Sequence, residues 1–232
     1  MPGGRKRQPI IRRVAETLPL FPLGEVLFPG VPLPLRIFEP RYRAMLKHCL
    51  DRRAPFGVVL ITRGDAEHPG ADFCPVGTTA RIQGVQRVDQ TTFLVASVGE
   101  QRFRVLHPLD GQPYLQGQVE FIPEQPGDRD ALDGLTTQGL ALLSRYLELI
   151  TGSDELGENL RERDFSPQSL SYTVGKLMQV DQTKKQAILE VATTAARLAY
   201  EVDLLRDEIQ QLRLLGKSEQ QATALPAYWS PN

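Results

Sequence analysis

The stretch Leu18-Pro19-Leu20-Phe21-Pro22-Leu23-Gly24-Glu25-Val26-Leu27-Phe28-Pro29-Gly30, followed by Pro34-Leu35-Arg36-Ile37-Phe38-Glu39-Pro40-Arg41-Tyr42, decides how the rest of the chain is read. Two short apolar runs, Leu18–Leu23 and Val31–Ile37, flank Phe28-Pro29-Gly30, which has proline second and glycine third as a type II turn requires. Proline at position 40 then opens a helix, since its fixed φ suits a first helical residue and its missing N–H costs nothing there. Tyr42, Met45, Leu46 and Cys49 fall on one face of that helix.

Outward from this stretch the β texture continues. Phe56–Thr62, Val76–Val88, Thr92–Val98, Arg102–His107 and Tyr114–Ile122 read as strands, with Gly57 and Gly84 marking bulges or tight bends. After Pro126-Gly127 the period changes. Leu140, Leu143, Leu147 and Ile150 lie at helical spacing and Gly152 ends them; Leu132 and Leu135 extend the helix backwards, and residues 153–164 form a polar linker or short helix. Ser166-Pro167 opens another helix with a capping serine. Ile188, Val191, Ala195, Leu198, Val202, Leu205, Ile209 and Leu212 alternate spacings of three and four up to Gly216. That seam packs either against helices of the same chain or against a second copy. Leu189, Leu204 and Leu214 widen it beyond a strict dimer seam, which favours the former. The division is therefore a basic flexible tail (1–17), a β-barrel subdomain (18–125), a helical subdomain (126–216) and a loose C-terminal tail (217–232), with an exposed linker near Glu124–Asp130.

Of 232 residues, 41% are hydrophobic and 24% charged, which excludes wholesale disorder. No apolar run has membrane-spanning length and no leader opens the chain, so the reading is a soluble, cytoplasmic protein with no membrane partner. Two cysteines fit a reducing compartment. The formal charge of −1 hides a gradient: +4 over residues 1–17, +1 over 18–122 and −6 over 123–232.

Chemical motifs are mostly decoys. Gly216-Lys217-Ser218 resembles the end of a phosphate-binding loop, but Gln211 stands where the first glycine belongs and a helix, not a strand, precedes it. His48, Cys49, His68 and Cys74 lack ligand spacing, so no metal site and no cofactor are expected. No nucleophile elbow or zincin motif occurs, and no catalytic residue is assigned. Arg81, Arg87, Arg102 and Arg104 interleave with Phe93 and Phe103, as in some single-strand nucleic-acid binders. The alternation of Arg102, Phe103 and Arg104 reads more simply as a solvated arginine face over a phenylalanine core.

The opening stretch, with Phe56–Ile61, Val76–Ile82, Gly99–Val105, Lys185–Glu190 and Arg197-Leu198, closely resembles the N-terminal substrate-recognition domain of Lon-type ATP-dependent proteases, in particular its stand-alone bacterial version. The resemblance covers about residues 18–215. It implies an α+β fold: a six-stranded, PUA-like β pseudo-barrel with an embedded helix, followed by a C-terminal helical bundle. It implies a recognition module in protein quality control and no proteolysis, since the ATPase and Ser–Lys peptidase domains do not follow. The Cys-x-x-Cys zinc site of the related cereblon proteins is absent too. Expected partners are unfolded or tagged protein segments, with the chain a monomer or weak dimer. RNA binding is the alternative, because PUA-like barrels occur in RNA-recognition proteins; the +1 charge of the β half argues against it. The expected substrate-binding surface is an apolar groove framed by Phe28, Val31, Phe38 and Tyr42. Glu39, at the helix start, is expected to brace Arg36, Arg41 or Arg43 rather than to touch ligand.

Overall fold

The structure is a computed structural model and describes residues 16–63 and 72–223. His68 and most of the basic tail, as well as residues 224–232, lie outside the described residues. The chain forms two compact units. The first comprises residues up to Leu27 together with Pro32–Pro123, and the second comprises Phe28–Val31 together with the chain from Glu124 onward.

The first unit is the PUA-like pseudo-barrel. Its elements are β1 (Glu16–Leu23), β2 (Pro32–Ile37), α1 (Pro40–Arg52), β3 (Phe56–Arg63), β4 (Asp72–Phe73), β5 (Val76–Arg87), β6 (Phe93–Leu109) and β7 (Gln116–Phe121). The strands run in the order β1-β7-β6-β5-β3-β4, and β1 closes the ring by pairing in parallel with β3, Leu20 opposite Gly57. A seventh strand, β4, is only two residues long, too short to leave a pattern in the sequence. The two expected strands Thr92–Val98 and Arg102–His107 are one 17-residue strand, β6, because the chain stays extended from Gly99 to Gln101 even though a bulge there shifts its register with β5.

Inside the ring, Leu18, Leu20, Val59, Phe103, Val105 and Val119 form a core. Phe103 is completely buried, and its ring occupies the space that Gly57 and Gly77 leave open: a Cβ on Gly57 would lie 2.5 Å from Cζ of Phe103, and one on Gly77 only 2.2 Å from the Val58 carbonyl oxygen. Gly57 thus serves close packing and not a bulge. The bulge expected near Gly84 is present, as a register shift between Ile82 and Gly84. In α1, the buried residues are Tyr42, Met45, Leu46 and Cys49, and Tyr42 stacks obliquely on Phe21 at 4.2 Å between centroids. Arg102, in contrast to the expected solvated face, is 1% exposed. Alternation along a strand separates two faces but does not say whether the outer one is covered.

The second unit is helical: α2 (Arg129–Thr151), α3 (Glu155–Arg161), α4 (Pro167–Leu177), α5 (Gln182–Glu190) and α6 (Thr194–Thr223). Asp128 caps α2, Ser166 caps α4 and Asp181 caps α5, each through its side chain. The apolar seam does not run along one helix. Val191 ends α5 in an extended conformation, and Thr193 restarts the chain by accepting from the Ala196 N–H. Ile188, Leu198, Val202, Leu205 and Ile209 are all buried, so the seam is turned inward. At the other end α6 passes through Gly216 to Thr223, since one glycine costs a helix only about 1 kcal/mol.

Phe28 belongs to this helical unit. Gly30 takes φ 76° in the expected turn, Val31 N–H donates to the Phe28 carbonyl at 3.2 Å, and the Phe28 ring lies against Tyr172 and over Gly175, where a Cβ would come within 2.8 Å of it. The segment after Glu124 is exposed yet tied down, with Thr194 and Ala195 N–H donating to the carbonyls of Gln125 and Pro126.

The glycine contacts predict that Gly77→Ala, which adds one methyl group against backbone, lowers unfolding free energy by about 1–3 kcal/mol or more. Gly134→Ala, where the Cβ meets nothing within 4 Å, leaves it unchanged or raises it. Chemical denaturation of the two variants checks this.

Candidate functional site

Beyond the ring, β2, β6 and β5 continue together as a three-stranded ribbon. Register assigns its two faces, since residues directly opposite one another share a side of the sheet. Leu33, Leu35 and Ile37 face Ser97, Val95 and Phe93. This side is inward: Leu33, Ile37 and Val95 are at most 4% exposed, and Ser97 donates to the Leu33 carbonyl at 2.8 Å. On the other side Arg36 lies opposite Leu94, which lies opposite Gln86. Phe38 and Val88 continue the alternation of Arg36 and Gln86 past the strand ends. Phe38 is 57% exposed, Val88 54% and Leu94 43%. One face of the ribbon therefore ends in an open apolar strip.

The ribbon's edges differ. Among the described residues β2 pairs with β6 alone, and Pro32 and Pro34 interrupt its N–H groups, a usual way to blunt an edge strand. β5 is covered by β3 only at Thr78, Thr79 and Ala80; from Arg81 to Arg87 it pairs with β6 and, among the described residues, with nothing on its outer side. That stretch has no proline, and all its residues except the half-buried Ile82 are exposed. An extended peptide can add there as a further strand.

The ends of this edge are held in place. Arg81 pairs with Glu100, and Arg87 donates to the carbonyls of Asp89 and Gln90 at 2.8 and 3.3 Å. At the hairpin tip the Asp89 carboxylate accepts from Thr91 and Thr92 N–H at 2.7 and 2.9 Å, and Val88 N–H closes the turn onto Thr92. The hydrogen bonds from Thr91 and then Thr92 lower the Asp89 pKa to about 2.

The four residues expected to frame the site divide between the units. Phe28 (0% exposed) and half-buried Val31 pack with the helices; Tyr42 (5%) and exposed Phe38 belong to the β unit. Phe38 presents its ring to solvent, whereas Phe28 and Tyr42 hold their own cores. Burial raises the Tyr42 pKa, with Arg41 partly opposing it. Glu39 braces Arg41, at 2.8 Å, as expected. Leu94, Val88 and the open β5 edge escape a reading of the sequence, because Phe93-Leu94-Val95-Ala96 is an unbroken apolar run in which the outward member carries no mark. The Cys49 thiol is pushed up to about 11 by burial, which unsuits it to ligate or attack. Among the described residues no three potential metal ligands cluster, and no helix is long and apolar enough to cross a membrane.

Residues 17–207 match the family described as the ATP-dependent protease La (LON) substrate-binding domain. The chain is 28% identical over 211 residues to a Lon protease of Anaeromyxobacter dehalogenans, covering 88% of this chain and 25% of that protein. It is 30% identical over 205 residues to a Lon protease of Paraburkholderia phytofirmans, covering 86% and 25%. It thus spans about a quarter of the length of these curated relatives. Two solved structures share the fold: a Lon N-terminal domain protein from Xanthomonas campestris (TM-score 0.58, 23% identity, 79% of this chain and 95% of that one) and the N-terminal domain of a Mycobacterium avium complex Lon protease (TM-score 0.64, 20% identity, 83% and 99%).

The Asp89 geometry sets a pH window. A carboxylate whose pKa is depressed in the folded chain stabilises it fully above the unfolded value, near 4, and loses that contribution as pH falls through about 2. Protection of the Thr91 and Thr92 amides should therefore fall between about pH 4 and pH 2, and Asp89→Ala should abolish it at neutral pH. NMR exchange at those two amides reads this directly; an Asp89 carboxyl titrating near 4 contradicts it.

Proposed function

The chain belongs to the Lon substrate-binding domain family, and from that premise we propose that it is a non-catalytic module that captures unfolded or tagged protein segments as an adaptor or accessory factor in cytoplasmic protein quality control. The observation that carries this reading is the apolar strip of Phe38, Val88 and Leu94 on a ribbon whose β5 edge is free of proline and, among the described residues, unpaired. Exposed apolar side chains are what distinguish an unfolded client from a folded protein. A strand edge recognises extended backbone without demanding a sequence, and a neighbouring apolar strip selects for greasy side chains. The residues on this surface bind and do no chemistry.

The arrangement favours protein over RNA. Of the four arginines that would line a nucleic-acid face, Arg102 is buried, Arg81 is paired with Glu100 and Arg87 is committed to loop carbonyls, which leaves Arg104 exposed. A single-strand groove needs a continuous run of cations beside its aromatic rings, and the strip itself carries one arginine, Arg36.

Titration of fluorescently labelled, reduced and carboxymethylated lactalbumin into the chain tests the proposal. Saturable binding is expected at about micromolar Kd, because ordering a flexible client offsets much of the contact energy. Leu94→Asp and Phe38→Ser should each weaken it about tenfold, whereas Leu106→Asp, an equally exposed leucine elsewhere on β6, should not. No saturable binding, or equal binding by all three folded variants, contradicts the site.

A further inference from the structure

The helical unit carries a second surface feature. A cleft of about 440 Å3 between α2 and α6 is lined by the apolar Leu142, Ile209 and Leu214 together with Arg145, Arg206 and Arg213. The apolar surface continues along α6, where Leu214 and Leu215 are 60% and 64% exposed. Arg145 pairs with Glu148 at 2.7 Å and Arg206 with Asp203 at 2.9 Å. Arg213 has no ion-pair or hydrogen-bond partner among the described residues. A groove between two packed helices, with an apolar floor and a charged rim, is the usual seat of a third helix.

The charge pattern identifies that helix. Asp203, Arg206, Gln210 and Arg213 form one stripe of α6 at spacings of three and four, with an acid at the start and a base at the end, about 15 Å apart. Such a stripe complements itself when reversed. In an antiparallel pair that sets Asp203 opposite Arg213 of a second copy, Arg206 meets Gln210 of that copy, and the two-fold repeats both contacts. The same register brings Leu214 against the other molecule's α6 and removes it from water. A wholly acidic peptide would answer the arginines but meet repulsion at Asp203.

We propose that this face of α2 and α6 is a self-association surface, on which a second copy of the chain docks with its own α6 antiparallel. It uses the outward stripe of α6 and not the inward heptad seam, and it is independent of the proposed client site. The contact spans only a few helical turns, well short of the roughly 800 Å2 per partner of a standard interface, so the dimer is weak and depends on concentration. Its rim ion pairs make it salt-sensitive.

Sedimentation velocity on the full chain from low micromolar to several hundred micromolar, in low and high salt, provides the test. Wild type should dimerise reversibly. Arg213→Asp, which sets two acids against each other, should weaken dimerisation at least tenfold, and the double variant Asp203→Arg/Arg213→Asp should restore it to within about threefold. Both positions are exposed, so far-UV circular dichroism and thermal melts of the variants should match wild type. A chain that stays monomeric throughout overturns the proposal. So does a dimer indifferent to Arg213→Asp, a double variant as weak as the single one, or a monomer that binds a labelled acidic amphipathic peptide through Arg213.

Discussion

The ring of Phe103 fills the space left by Gly57 and Gly77, and this contact pins the middle of β6 inside the barrel. Below it, β6 pairs with β7 on one side; above it the same side passes to β2. β5 accompanies β6 through both parts, whereas β3 follows β5 only as far as Ala80. The barrel therefore closes around Phe103, and the strands that outrun it emerge as a ribbon whose β5 edge has no further strand beside it among the described residues. Exposure of the Arg81–Arg87 edge follows from where the core ends, and so does exposure of Leu94, whose neighbours Phe93 and Val95 point the other way.

A buried arginine plays a comparable part among the helices. Arg197 is fully enclosed; its Nε donates to Ser171 at 2.7 Å, its Nη2 reaches Glu124 at 3.4 Å, and its guanidinium lies 4.1 Å over the Tyr172 ring. Tyr172 donates to the other Glu124 oxygen at 2.5 Å and packs beneath Phe28. One side chain thus joins α4, α6 and the segment that enters the unit. Glu201, one turn on, accepts from Ser171 but is so thoroughly desolvated that its pKa is raised well above the usual carboxylate range. The hydrogen bond from Ser171 and the charge of Arg197 offset that desolvation only in part.

Much of this was legible in the sequence because local chemistry agrees with global structure at those points. The turn at Pro29-Gly30, the start of α1 at Pro40 and its buried face, the Ser166 cap and the Gly152 stop each rest on a residue whose backbone preference is strong. What was not legible depended on contacts distant in sequence. No local pattern reports that Arg102 is covered on its outer side, or that Phe28 supports helices. The break between α5 and α6 hides in a seam whose spacing runs on across it. Of the candidate site, Phe38 was legible as an apolar residue at the end of a strand. The β5 edge was not, because an edge is defined by the absence of a neighbour.

Capture of extended segments by strand addition is the central claim, and amide hydrogen exchange tests it most directly. With reduced and carboxymethylated lactalbumin added to saturation, exchange should slow at the outward amides of Arg81–Arg87 and at few others in the β unit. Saturable binding that leaves those amides exchanging at their free rates, or protects a different strand, would contradict the account.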